Sequence, residues 1–260
     1  MFVILGILLV FIAGILLFVF SSQKPSQEIN PLQTDAVILM VEKCLEQTAE
    51  EAILATGKRG GYFILPEQRT VDLQEDVPYY KVSKGNFFPT PEKRAGEIGK
   101  YIDTMLDLCL DFSTFEKQGY NVTQENPQTK VILREESQFL DIRTRLPLAF
   151  SKGLQTKRME FFQVKIPVAQ MQKDFAVAQE IAGTQENEAI CITCFSNLAE
   201  ENSLFVAVLP YYDNVYVYEM TDEDYVLQDE KYVLRFAVKY SLEEVPEEKK
   251  IFQILIKLFL

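Results

Sequence analysis

Histidine is missing from this 260-residue chain, and so is tryptophan. Without imidazole there is no Ser-His-Asp or Cys-His nucleophilic site, no His-ligated zinc and no two-His-one-carboxylate iron. Without indole, a sugar-stacking platform has to be made of Tyr or Phe. Positive charge is in short supply as well: 26 Lys and Arg stand against 38 Asp and Glu, a formal net charge of -12. Phosphate binding needs a basic face, so this balance argues against nucleic acid as a partner. An anionic lipid surface would repel most of the chain for the same reason. No internal repeat or low-complexity tract is present. The hydrophobic share of 48% and charged share of 25% are ordinary for a globular protein.

What the chain does have, at its start, is a long apolar run. Residues 2–20 read FVILGILLVFIAGILLFVF, with no charged or strongly polar side chain. At about 1.5 Å of helical rise per residue the run spans roughly 28 Å, near the ~30 Å hydrocarbon layer of a bilayer. A helix satisfies its own backbone groups in lipid, so residues 1–20 are expected as a transmembrane anchor. A cleaved secretory signal has a basic leader, a shorter core and a small-residue cleavage site. Here no basic leader precedes the run, and the nearest cleavage candidate, Val19-Phe20-Ser21, is poor. A retained signal-anchor is preferred over a cleaved signal or a buried soluble helix. Residues 21–33 (SSQKPSQEINPLQ) are polar and aperiodic and contain two prolines, which suits a tether.

Residues 34–260 are expected to form one α+β domain, with helices packed on a mainly antiparallel sheet. Thr34 or Asp35 can cap a helix reaching Thr56, with Gly57 as its stop. Its buried stripe is Val37, Val41, Cys44, Thr48, Ala52 and Ala55. Gly57, Gly60 and Gly61 permit a sharp turn into Tyr62-Phe63-Ile64-Leu65, read as a short strand. Residues 66–90, punctuated by Pro66, Pro78 and Pro89, read as irregular. Pro91 opens a second helix to Phe112, with Ile98, Ile102, Met105, Cys109 and Phe112 inward. Residues 119–129 read as loop. Leu140, Ile142, Thr144, Leu146, Leu148 and Phe150 then alternate with polar residues, and Phe162, Val164, Ile166 and Val168 answer them across a turn at 151–156, a hairpin. Helices are expected at 168–182 and 186–200, and strands at 204–209, 214–220 and 232–240. The tail, residues 251–260 (IFQILIKLFL), fits a strand or an interfacial helix.

Four cysteines carry the sharpest local signals. Cys44 and Cys109 each fall on the buried stripe of an expected helix, so packing those helices side by side would bring them together as a disulfide; two buried free thiols are the alternative. Cys191-Ile192-Thr193-Cys194 is a CxxC. A thioredoxin-like redox site needs the first Cys at a helix N-terminus, just after a strand. This pair is expected inside a helix, which favours a structural role or a local disulfide over redox activity or a metal. No metal site and no cofactor are expected. Only the terminal amine and Lys24 flank the apolar run, so the positive-inside rule barely votes. The paired cysteines and the sequon Asn121-Val122-Thr123, a glycosylation candidate, both lean towards an extracytoplasmic domain.

Other matches are weaker. Ser21-Ser22-Gln23-Lys24 has the SxxK form of penicillin-recognising enzymes, but no SDN or KTG follows. The acidic stretch Thr221-Asp222-Glu223-Asp224 with Asp229-Glu230 lacks the spacing of an EF-hand and reads as a solvated turn. Pro210-Tyr211-Tyr212-Asp213-Asn214 is either a ligand-binding aromatic loop or a tight hairpin turn. Many carboxylates are present, and none marks itself as half of a glycosidase pair.

With the anchor, the segments Val41-Glu42-Lys43-Cys44-Leu45-Glu46-Gln47-Thr48-Ala49-Glu50-Glu51-Ala52, Gly60-Gly61-Tyr62 and Leu108-Cys109-Leu110 resemble a group of uncharacterised single-pass archaeal membrane proteins from small-genome lineages. The likeness is clearest over residues 1–120. It implies an anchor and paired cysteines, and supplies no activity. The expected function is a membrane-anchored, extracytoplasmic, non-enzymatic binding or scaffold protein of the cell envelope. Its partners would be the bilayer, through residues 1–20, and a protein or envelope component. The alternatives are a pilin-like filament subunit and a carboxylate-based envelope hydrolase.

Overall fold

The structure is a computed structural model that describes residues 31–67, 69–71, 76–82, 85–134, 138–184, 191–212 and 214–240. The apolar run, residues 21–30 of the tether and residues 241–260, which include the tail at 251–260, lie outside the described residues. No helix among the described residues is long and apolar enough to cross a membrane.

The fold is α+β, with helices and mainly antiparallel sheets. Helix α1, Pro31–Lys58, begins before the expected cap at Thr34 or Asp35 and passes beyond Gly57. It ends where Gly60 and Gly61 adopt φ of 61° and 85°, and the Gly61 amide donates to the Thr56 carbonyl at 2.7 Å. Those two glycines supply the left-handed conformation that closes a helix C-terminus. Gly57 is needed for another reason: a Cβ there would meet the Tyr232 ring at 2.5 Å and the Val233 carbonyl at 2.7 Å. The expected strand at Tyr62-Phe63-Ile64-Leu65 does not form. The amides of Phe63 and Ile64 donate instead to one carboxylate oxygen of Glu97, at 3.1 and 2.8 Å, so a side chain satisfies what a strand partner would have.

The region expected to be irregular contains β1 (Arg69–Val71), β2 (Asp76–Val82) and β3 (Gly85–Asn86). Helix α2, Pro91–Cys109, starts where expected, with Thr90 accepting the Lys93 amide, but stops short of Phe112. Leu106 and Ala95 join Ile98 and Ile102 on its buried side. A short helix α3 (Ser113–Lys117) follows, then strands β4 (Asn121–Gln124) and β5 (Gln128–Ile132) in place of the expected loop. The hairpin is formed by β6 (Phe139–Lys152) and β7 (Gln155–Pro167), and turns at Gly153, φ 61°. Helices α4 (Ala169–Thr184) and α5 (Ile192–Glu201) lead to β8 (Leu204–Pro210), β9 (Val215–Leu227) and β10 (Glu230–Lys239).

Two sheets result. One has the strand order β1-β2-β10-β9-β8, with β3 beside β2, and its β2–β10 pairing is parallel. The other is built on β6, which pairs with β7 on one edge and with β4 and β5 on the other. Helix α1 packs against β7 of one sheet and β9 and β10 of the other, and against α2. That position explains why it buries Leu45, Ala49, Ile53 and Leu54 in addition to its expected stripe, of which Ala55 alone is only half-buried. A row of rings crosses the larger sheet inside the core: Phe88 edge-on to Tyr80, Tyr80 stacked on Phe236 at 4.7 Å, and Phe236 on Tyr218 at 5.1 Å. Phe195 of α5 meets Tyr218 edge-on, which ties that helix to the same row.

Candidate functional site

Cys44 and Cys109 are bonded to each other, with Cα atoms 5.7 Å apart, and the bridge clips the middle of α1 to the last residue of α2. In the chain-entropy picture a loop of 65 residues is worth about 4 kcal/mol of stability. Cys191 and Cys194 form a second disulfide, and no cysteine remains free. Here the expected location changes in part: Cys194 lies in the first turn of α5, but Cys191 stands just before it. Cys191 is the N-cap of α5, and its sulfur accepts the Cys194 amide at 3.2 Å. Residues 186–190, expected as the start of that helix, lie outside the described residues.

At the C-terminal end of α1, a cleft of about 350 Å³ opens between α1, α2 and the β9–β10 turn. Its walls carry Glu51, Lys58, Arg59, Tyr101, Gln228 and Glu230. Each is placed by local chain behaviour. Gln228 and Asp229, with φ of 49° and 64°, make the tight turn, and Gln228 reaches back to the Gln47 carbonyl at 2.7 Å. Lys58 pairs with Glu230 across the cleft. Arg59 is turned towards the Phe63 carbonyl, 2.9 Å away. Tyr101 sits edge-on to Phe63, and burial, then the nearby Glu51, raises its hydroxyl above the ordinary range. The lining offers charge of both signs, Glu51 and Glu230 with Lys58 and Arg59, and a phenol. It suits recognition of a polar group. Sequence reasoning did not find this cleft. The one signal was the Lys58-Arg59 pair beside the double glycine.

Glu97, on α2, is the buried polar hub behind it. Lys93 and Lys100 approach one carboxylate oxygen at 3.0 and 2.7 Å while the other takes the two loop amides. Burial pushes its carboxyl up, but the Lys100 and Ile64 hydrogen bonds and Lys93 outweigh that and leave it below the usual range.

The acidic stretch is a solvated turn only at Asp229, in the β9–β10 turn; Glu223 and Asp224 are exposed but stand on a strand. Residues 221–224 belong to β9, and Asp222 is 1% exposed. Its Oδ1 accepts the amides of Asp224 and Tyr225, at 2.9 and 3.1 Å, and holds the bulge where Tyr232 pairs with Asp222 directly after Lys231 pairs with Val226. Asp174 of α4, also 1% exposed, feels that carboxylate. Burial, then Asp222, pushes the Asp174 carboxyl up to about 8, against a smaller pull from Lys173. Its Oδ1 and the Tyr232 hydroxyl have no hydrogen-bond partner among the described residues. Two carboxylates therefore come together, but closed from solvent. The signal was legible: Asp174 lies in line with Met171, Ala178 and Ile181 on an otherwise apolar stripe.

Tyr211 and Tyr212 flank a tight turn, with Val215 exchanging backbone hydrogen bonds with both, and their rings stay partly exposed. Asn121 is exposed on β4, open to modification. Ser21 and Lys24 lie outside the described residues. No group of three or more metal-binding side chains occurs among the described residues. Comparisons with protein-family models, with curated proteins and with solved structures returned no match to this chain.

Proposed function

We propose that this chain is a membrane-anchored protein whose α+β domain lies outside the cytoplasm and serves as a binding or scaffold module of the cell envelope. The observation that carries this reading is that all four cysteines are in disulfides. Such bonds persist in oxidising compartments and are rare where thiols are kept reduced. The apolar run at residues 2–20 supports attachment to a bilayer. The cleft at the end of α1 supports binding, since its Glu51, Arg59 and Tyr101 offer charge of both signs and a phenol to a polar group. The hydrolase alternative draws no support from Asp174 and Asp222, which no glycan reaches.

Protease added to intact cells should remove the domain and leave the apolar segment in the membrane fraction. A domain protected until the cells are lysed would overturn the external assignment.

A further inference from the structure

We propose that Cys191–Cys194 is a thiol–disulfide exchange site that accepts electrons from paired cysteines of a protein partner. This goes beyond the binding reading, which asks no chemistry of the domain. Four observations converge on it. The reacting group is already present, as a disulfide between residues three apart in sequence. It closes so short a loop that it constrains the unfolded chain far less than Cys44–Cys109 does, so bracing is a poor account of it. It also stands at the N-terminus of a ten-residue helix, where backbone amides favour a thiolate on the capping residue. The Cys194 amide already donates to the Cys191 sulfur, and the Thr193 hydroxyl lies 3.6 Å from it. Finally, the pair lies near the surface, with both cysteines half-buried. Ile192 is 65% exposed and Thr193 is exposed, and together they form an apolar and polar step between the two sulfurs. Behind them, Phe195 and Ala199 are buried, and Phe195 meets the Tyr218 ring, so the helix keeps its place when the bond opens.

In the exchange, a partner thiolate attacks the Cys191 sulfur and forms a mixed disulfide. The Cys191–Cys194 bond breaks, and Cys194 leaves as a thiolate that takes a proton from water. A second thiolate of the partner then attacks the partner's own sulfur in that mixed disulfide, and Cys191 departs as the thiolate its helix stabilises. The partner's two thiols become one disulfide, losing two electrons, and the CxxC becomes a dithiol. A low-molecular-weight disulfide returns it to the oxidised form by the reverse steps.

The full chain in detergent, equilibrated in glutathione redox buffers and alkylated, tests this by mass spectrometry. The Cys191–Cys194 bond is expected to open at glutathione ratios that leave Cys44–Cys109 intact. At mildly acidic pH the reduced Cys191 should alkylate about tenfold faster than an unperturbed thiol. Cys194→Ser should hold a lasting mixed disulfide at Cys191 after exposure to oxidised glutathione, one glutathione leaving as its thiolate and no Cys194 thiol remaining to displace the other. Opening of the two bridges together, or Cys191 alkylating no faster than a simple peptide thiol, would overturn the proposal. Should the variant fail to fold, the alkylation rate of the reduced natural chain decides the matter. None of these readouts depends on the side of the membrane the domain occupies, so this proposal and the envelope assignment fail separately.

Discussion

Asp174 shows what one buried side chain imposes on the whole fold. An unfolded chain releases this proton near pH 3.8, whereas the folded protein holds it to about pH 8. Between those values the folded state binds more protons than the unfolded state, so stability falls as pH rises, at up to about 1.4 kcal/mol per pH unit. The groups around it point the same way: Asp222 adds negative charge from β9, Tyr225 and Tyr232 stay neutral, and only Lys173 opposes. Urea midpoints measured from pH 5 to 8 should decline for the natural chain, while Asp174→Asn should flatten the curve and be the more stable form at pH 8. Parallel curves would show that the carboxyl does not titrate in the fold. Gly57 is the opposite kind of constraint, set by space. Alanine there pushes a methyl into the Tyr232 ring and the Val233 carbonyl, and the backbone atom cannot swing away. Gly57→Ala should cost about 2 kcal/mol in the same urea assay, despite alanine's better helix propensity.

Among elements, the two disulfides should behave unequally. Replacing Cys44 and Cys109 together with alanine is expected to cost about 4 kcal/mol, whereas the same change at Cys191 and Cys194 should cost no more than about 2 kcal/mol. Denaturation of the two double variants side by side checks this, and equal losses would contradict it. What could be read in advance follows the same division between strong local pattern and distant partner. The β6–β7 hairpin and β10 were legible because Leu140, Ile142 and Leu146, or Tyr232, Leu234 and Phe236, alternate with solvated neighbours. Strand β2 was not, since Pro78 breaks its pattern; the proline is tolerated where it packs against Gly60 and pairs only with the short β1. Strands β4 and β5 are polar and draw their order from β6, a partner no local window contains. The stretch after Gly61 has strand-like residues, yet the Glu97 carboxylate took its amides first. The cleft was hidden for a related reason, because Glu51, Tyr101 and Gln228 meet only after α1, α2 and the β9–β10 turn have docked.

Taken as a whole, the molecule carries a net charge of -12 with no histidine to buffer it. Repulsion among those carboxylates works against the compact state, and salt screens it. Raising ionic strength from about 0.01 M to about 0.15 M should therefore increase the urea midpoint; a midpoint that fell would mean that ion pairs such as Arg235–Glu219 outweigh the global repulsion. The topology sets a timetable of its own. Strand β2 finds its parallel partner only in β10, with Tyr79 beside Ala237. As the chain emerges from the ribosome, the β6–β7 hairpin can close on its neighbours and Cys44 can meet Cys109 long before that partner exists. The larger sheet has to wait until almost the last described residue has been made. During that interval Tyr80 and Val77 are without the strand that covers them, so the newborn protein passes through a half-built state. A holding factor at the exit site would shorten the danger of that state, and a stop codon placed before β10 would leave β2 and β9 without the strand that joins them.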